Sequence, residues 1–275
     1  HISRTNGGRL AELICHQVGA EMISFQISDA VGKPSESDMR FPAYFRGTPF
    51  GGDQTSIQDA RDMIVNYALS DRLPASVVNF IFDDSRVRET PFDIDENRIT
   101  TFVVGNLADS CRTAKRIAEE MGINCMVLTT YLEGESSQAG MFFSSLIREI
   151  KYRNNPIETP CYVVCAGETT CNIQEPPRGV GGPSQELVLG MAIGIKGMKG
   201  VAGASIDTEG TDGPTIYAGG IVDGGTYERL EAAGESIFDA LRFHSTGNAL
   251  EKIGDCIFTG NTGTNLCDLN IIYID

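Results

Sequence analysis

No stretch of this sequence approaches the roughly 20 apolar residues that a membrane-crossing helix needs, so no spanning helix is expected. No basic segment followed by an apolar core opens the chain, so no secretory signal peptide is expected. Cys-x-x-Cys pairs are lacking, which removes the commonest zinc and redox spacings. G-x-S-x-G, H-E-x-x-H and Walker A patterns are also lacking, so the chemistries they carry have no foothold. Basic side chains are scarce: 22 Lys and Arg stand against 37 Asp and Glu, a formal net charge of −15. That argues against a nucleic-acid backbone or an anionic membrane as partner, since both need clustered cations. A small anionic substrate needs only a few local donors, and a metal ion could bridge a phosphate to an acidic protein. His16 and His244 stand apart from any serine or cysteine elbow and are assigned no role. There is no internal repeat and no low-complexity tract.

What is present is ordinary for a soluble globular protein. The 275 residues are 41% apolar and 21% charged, enough for a sizeable core and for two domains. The eight cysteines read as small buried apolar residues in a reducing cytoplasm, all of them reduced. Cys161 and Cys165, on one face of a strand, would lie about 13 Å apart at roughly 3.3 Å per residue, too far to share one zinc.

The middle of the chain alternates strand and helix. Residues 99–105 are β-rich. The helix that follows places Cys111, Ala114, Ala118 and Met121 on one face, with Asn106 or Asp109 as cap and Gly122 at its end. Residues 123–131 read as a strand. Residues 136–151 read as a second amphipathic helix with Phe142, Leu146 and Ile150 inward. Short links and this order predict a parallel sheet covered on both faces. Two prolines within 156–160 mark a domain boundary. Beyond it come a strand over 161–167, a Gly- and Pro-rich loop over 172–184, and a helix over about 185–195. A strand over 200–206 and a helix over 227–234 follow. Residues 30–55 are irregular, as functional or mobile connections often are. The fold class expected is α/β, with two domains of mostly parallel or mixed sheets flanked by helices. Residues 1–155 would be a partial Rossmann-like domain and 156–275 a second α/β domain.

The most informative stretch is GASIDTEGTDGPTIYAGGIVD, 203–223. Asp207, Glu209 and Asp212 crowd into six positions beyond an apolar strand, where open α/β sheets bind ligands. Clustered carboxylates suggest a cation, a shared proton or plain solvent. They could hold Mg²⁺ through water, or one could act as base on a substrate hydroxyl; otherwise this is a solvated turn. Glu168 could orient a ligand hydroxyl or serve as a cap or salt-bridge residue. Gln185 follows GGPS, where free helix amides could hold an anion, or Ser184 simply caps the helix. Gly105 and Asn106 could approach a nucleotide, or only form a cap. Gly260, Thr262, Thr264 and Asn265 could take a carboxylate or phosphate, or make a plain turn. Gly7, Gly8 and Arg9 are a further anion candidate.

Six segments in order resemble the glycerate 2-kinase family, including its C-terminal MOFRL domain. SRTNGGRLA (3–11) is similar to Ser-x-x-Lys-Gly-Gly-Arg-Leu-Ala. LSDRLPASV (69–77) resembles a mid-chain helix and turn, and AGETT (166–170) a Gly-Gly-Glu-Thr-Thr turn. GGPSQELVLGMAIGI (181–195) resembles Gly-Gly-Arg-Asn-Gln-Glu leading into an Ala-rich helix. The acidic stretch resembles Asp-Thr-Asp-Gly-x-Asp-Gly-Pro-Thr-Asp-Ala-Ala-Gly, and TGNTGTNLCDL (259–269) resembles Thr-Gly-Pro-Thr-Gly-Thr-Asn-Val-x-Asp-Leu. The resemblance implies two α/β domains, ATP and Mg²⁺, and transfer of the γ-phosphoryl to the 2-hydroxyl of D-glycerate or a related hydroxy acid. On that basis Asp207 and Asp212 are expected to be catalytic, with Asp207, Glu209 and Asp212 as metal ligands. Arg9, Glu168, Gln185, Thr215, Thr262, Thr264 and Asn265 are expected at the substrate, and Gly105 with Asn106 at the nucleotide.

The departures bear on cations. Asn6 stands where the family has lysine and Pro183 where it has arginine; Ile216 replaces an aspartate and Asn261 a proline. The Ser-Gly-Pro-Thr loop survives only as RGTPFGG (46–52). The family's N-terminal third has no counterpart in this sequence. Phosphoryl transfer is mostly positioning and charge neutralisation, so turnover by this chain alone is expected to be absent or very slow. Arg4, Arg9 and Arg178 are the available substitutes. A missing N-terminal segment or a partner subunit in a hetero-oligomer is expected to complete the enzyme. The alternative is a non-kinase homologue that binds or converts another hydroxy acid, or a structural subunit.

Overall fold

The structure, a computed structural model, describes residues 1–30, 48–53, 55–91, 94 and 96–275. Most of the irregular 30–55 stretch lies outside the described residues, as do the first two residues of the RGTPFGG segment. The chain divides into two compact units, one of residues 1–26 and 33–104, the other of 27–32 and 105–275.

In the first unit, α1 (Arg9–Glu12) runs into a wide-turned continuation, Leu13–Val18. Strand β1 (Met22–Ile27) pairs with β2 (Ile99–Gly105). Between them lie α2 (Ile57–Asn66) and α3 (Ala75–Ile81). Ser56 and Asp59 form a capping box on α2, each side chain taking the other's backbone amide. A small core gathers Ala11, Cys15 and Ile99 with partly buried Ile14, Met22 and Ile94.

The second unit is built on a six-stranded sheet. Its strands are β3 (Asn124–Leu132), β4 (Cys161–Gly167), β5 (Val201–Asp207), β6 (Gly219–Asp223), β7 (Cys256–Ile257) and β8 (Asp268–Ile274), in the order β3-β4-β8-β5-β6-β7. Only β3 and β4 run parallel; the other neighbours are antiparallel. The sheet is therefore mixed, the second form the sequence allowed. The last strand of the chain lies at its middle, between β4 and β5. The boundary expected at 155/156 falls inside this unit: β3 and β4 pair across it, in register from Asn124 with Cys161 to Val127 with Val164 and shifted beyond.

The sheet carries helices on both faces. Along β4, Cys161, Val163 and Cys165 face one core and Val164 and Ala166 the other, the period of two that a strand covered on both sides requires. Helix α4 (Leu107–Glu120) closes one face with Leu107, Cys111 and Ala118. Met121 is the residue that ends α4 and is 61% exposed, so it does not continue the inward stripe.

The other face carries α5 (Ser136–Arg153) and α6 (Pro183–Gly194), with α7 (Thr226–Ala232), α8 (Ile237–Arg242) and α9 (Thr246–Ile253) beside them. The inward face of α5 is Ser136, Gly140, Phe143, Ser144, Ile147 and Ile150; Phe142, expected inward, faces solvent. Small residues set this face because the two helices touch at backbone distance. A Cβ on Gly140 would lie 2.0 Å from the Leu187 carbonyl oxygen, and one on Gly190 would lie 2.3 Å from that of Ser137. Helix α6 is buried nearly all round, from Ser184 to Ala192. Among the described residues, no helix is long and apolar enough to cross a membrane.

Candidate functional site

Strand β8 buries Asp268, Asn270, Ile272 and Ile274 on one face by simple alternation. Its apolar half meets Val201 and Gly203 of β5; its polar half meets Ser205 and Asp207. Asp207 and Asp268 are thus in register at the strand ends. The N-terminus of α6 covers this polar end: the Ser205 hydroxyl donates to that of Ser184 at 2.8 Å.

Asp268 is 5% exposed, and its Oδ2 has no hydrogen-bond partner. Both carboxamide atoms of Asn270 are likewise buried and unpartnered. Unpaired buried polar atoms are costly, so this end of the sheet carries unspent binding capacity. Burial pushes the Asp268 carboxyl up to about 8, and the charges of Asp212, Asp207 and Glu168 add to the rise. Burial also raises Asp207; the Glu209 amide, which donates to it at 3.1 Å, pulls the other way. Neighbouring carboxylates that resist joint ionisation suit a shared proton or a hard cation with oxygen ligands.

Asp212 has a different task. Its carboxylate accepts the backbone amides of Ser184 at 3.1 Å and Gln185 at 2.8 Å. The helix cap residue is Gly182, which has no side chain to offer, and Pro183 occupies the first turn. A Cβ on Gly182 would lie 2.3 Å from Asp212 Oδ1, so glycine admits this approach. The expected anion site at the start of α6 is therefore filled by the protein's own carboxylate. Burial lifts Asp212 to about 7, against those two amides. Gln185 is 0% exposed and donates Nε2 to the Thr215 hydroxyl at 3.0 Å; that hydroxyl lies 2.8 Å from the Asp212 carbonyl oxygen, to which it donates. Asp212, Gln185 and Thr215 lock the loop to the helix. Of the three, Gln185 alone keeps a buried side-chain acceptor, Oε1, without a hydrogen-bond partner.

The acidic loop and the loop over 260–265 do meet. The Thr262 amide donates to the Glu209 carbonyl at 3.1 Å, and its hydroxyl to the Thr208 carbonyl at 2.5 Å. A Cβ on Gly210, at φ 100°, would strike the Gly260 carbonyl at 2.0 Å. The Asn265 carboxamide reaches Asp29 and Glu209, and its oxygen accepts the Cys267 amide. Glu209, Thr264, Asn265 and Asp29 line an open hollow. Two of the loop amides, on Thr262 and Gly263, are already spent on Glu209 and Asn261. Less of the backbone is free for an anion than the sequence suggested.

The remaining expectations separate. Glu168 is exposed just beyond β4, with Gly167 the register partner of Asp268. Asp207, Glu209 and Asp212 do not bring their ligand atoms all within 4.8 Å of one another, so they form no direct three-carboxylate chelate. Asn106 caps α4 through a capping box with Asp109, which occupies its side-chain oxygen, and the Gly105 carbonyl accepts the Ser28 amide. Arg9 belongs to the first unit and donates to the Arg88 carbonyl at 2.6 Å. Arg178, a proposed substitute cation, stacks on Phe243 at 3.4 Å. Sequence reasoning missed Asp268 and Asn270 as site residues. Strand alternation from Ile272 and Ile274 was the available signal. It also assigned His244 no role, whereas His244 meets Glu186 and Cys171.

The second unit is thus a mixed α/β fold with carboxylates gathered at one end of its sheet. Residues 161–268 match the MOFRL family, and residues 1–82 match a domain of unknown function, DUF4147. The chain is 35% identical to the D-glycerate 2-kinase of Thermotoga maritima over 98% of its length, and 37% identical to the glycerate 2-kinase of Pyrococcus horikoshii over its whole length. It spans 60% of the length of each. A crystal structure of glycerate kinase from Thermotoga maritima superposes with a TM-score of 0.80 at 34% identity, covering 99% of this chain and 61% of the other. The chain belongs to the glycerate kinase family.

Proposed function

We propose that this chain acts as a glycerate-2-kinase-like phosphotransferase, moving the γ-phosphoryl of ATP to the 2-hydroxyl of D-glycerate or a related hydroxy acid. The observation that carries the reading is the Asp207–Asp268 pair at the sheet end, with an unpartnered Asp268 oxygen and a buried, unpartnered Asn270 amide beneath it. These are hard oxygen donors, the kind Mg²⁺ takes, usually through one or two carboxylates and water. Asp207 and Asp268 would hold that ion, which when bound neutralises charge on the phosphates. Asp207, a carboxylate whose affinity for a proton burial raises, would accept the hydroxyl proton. Asn270 and Asn265 would orient the substrate. Asp212 keeps α6 closed over the pair.

Rates are proposed to be low, because Asn6 and Pro183 are uncharged where the family carries lysine and arginine. The relatives are also longer than this chain, so their whole-enzyme activity comes to it only as a proposal. Those same two residues favour the second reading, a non-kinase homologue that binds a hydroxy acid on the same scaffold.

Phosphorus NMR of the full chain with ATP, Mg²⁺ and D-glycerate tests the choice. The kinase reading expects slow growth of a glycerate phosphomonoester, faster with Asn6→Lys and Pro183→Arg together, and about 100-fold slower or worse with Asp207→Asn. A product rate indifferent to Asp207→Asn, or no product in any variant, supports the second reading.

A further inference from the structure

A second constellation lies in the same unit. Cys171 follows β4, Glu186 sits in the first turn of α6, and His244 lies in the link between α8 and α9. One donor atom from each (a thiol sulfur, a carboxylate oxygen and an imidazole nitrogen) lies within 4.8 Å of the other two. Among the described residues this is the one group of three such side chains so close together. The Glu186 side chain is 2% exposed and that of His244 11%. His244 Nδ1 and Glu186 Oε1 share a 2.6 Å hydrogen bond.

A buried carboxylate needs a partner. Burial raises Glu186, and His244 and Cys171 hold it back. Burial and the Glu186 charge push the Cys171 thiol strongly up, so without a cation it keeps its proton.

We propose that Cys171, Glu186 and His244 bind a divalent cation of the zinc class, with a fourth position left open. The donor set selects the metal. Thiolate and imidazole are poor ligands for Mg²⁺ and Ca²⁺, which take oxygen, and good ones for Zn²⁺. The geometry needs little change. Ligands at about 2.0–2.1 Å from a tetrahedral ion sit roughly 3.3 Å apart, so the His244–Glu186 contact opens by less than about 1 Å. The cation replaces the thiol proton and takes the place of the hydrogen bond between His244 and Glu186. His244 lies in the left-handed region at φ 52°, and the Arg178 amide donates to the neighbouring Phe243 carbonyl at 2.9 Å. The ion would tie the post-β4 segment and the α8–α9 link to the first turn of α6, next to the Gln185 amide that holds Asp212.

The test is independent of phosphoryl transfer. The full chain, stripped with a chelator, is titrated with Co²⁺ and followed by absorption, then with Zn²⁺ by thermal melting. The proposal expects a thiolate-to-cobalt charge-transfer band that saturates at one ion per chain and is abolished by Zn²⁺ but not by Mg²⁺. The band should vanish in Cys171→Ser. In His244→Gln the affinity should fall by more than the roughly 10- to 100-fold that loss of an outer-shell partner costs. Zn²⁺ should raise the melting temperature of the wild type and not of Cys171→Ser. No band in the wild type, or a band that survives Cys171→Ser, overturns the site. Circular dichroism first checks that each variant folds. Should Cys171→Ser fail to fold, His244→Gln decides: wild-type affinity there overturns the proposal.

Discussion

Asp207 and Asp268 end neighbouring antiparallel strands in register, two carboxylates brought side by side by backbone pairing alone. Strand register thus sets the chemistry of the site. A one-residue slip in β8 would turn Asp268 and Asn270 out of the core and bring Leu269 in.

Asp268 titrates near 8 and Asp212 near 7 in the folded chain, both raised from an ordinary 3.8. The folded state therefore binds more protons than the unfolded one between about pH 4 and 8. Its stability is fully present below the unfolded value and is lost as pH rises through the folded values. Urea unfolding should give a more stable protein at pH 5 than at pH 9. Asp268→Asn should flatten the upper part of that slope and gain on the order of 1–2 kcal/mol relative to wild type at pH 9. An unchanged slope in Asp268→Asn would contradict this.

Asp212→Ala should behave as the loss of a helix cap. It leaves the buried amides of Ser184 and Gln185 without an acceptor, at a cost of about 2–4 kcal/mol. Asp212→Asn keeps one acceptor oxygen and should cost about half as much. Denaturant melts decide: an Asp212→Ala protein as stable as wild type would mean that the carboxylate is not structural.

Much of this was legible in the sequence. The strands and helices between 99 and 207 stand close to where periodicity put them. What failed has physical causes. Apolar spacing alone puts Phe142 inward, but the small residues Gly140 and Ser144 make the contact with α6. The sequence allowed a mostly parallel or a mixed sheet without deciding between them, because β8 comes from the chain's end to the sheet's middle, a pairing that no local pattern announces. Asp212, expected as a catalytic residue and metal ligand, also accepts the first amides of α6. The missing cap at Gly182 and the proline after it were the clue that the α6 amides needed an acceptor from elsewhere.

The α5–α6 contact gives a test in which two physical effects oppose each other. Alanine in a free helix would improve on glycine by about 1 kcal/mol. In Gly140→Ala the new Cβ would meet the Leu187 carbonyl at 2.0 Å, and the helices must separate. The expected result is a loss of about 2–3 kcal/mol in denaturant unfolding, and a gain would show that the helices do not pack this closely.

The most direct test of the proposed centre is calorimetric titration of the full chain with Mg²⁺, and with D-glycerate in the presence of Mg²⁺. The account predicts that both bind the wild type and that Asp207→Asn and Asp268→Asn each weaken Mg²⁺ by about 10-fold or more, while the folded state survives. Mg²⁺ and glycerate binding unaffected by either substitution would contradict it and remove the Asp207–Asp268 end of the sheet as the reacting site.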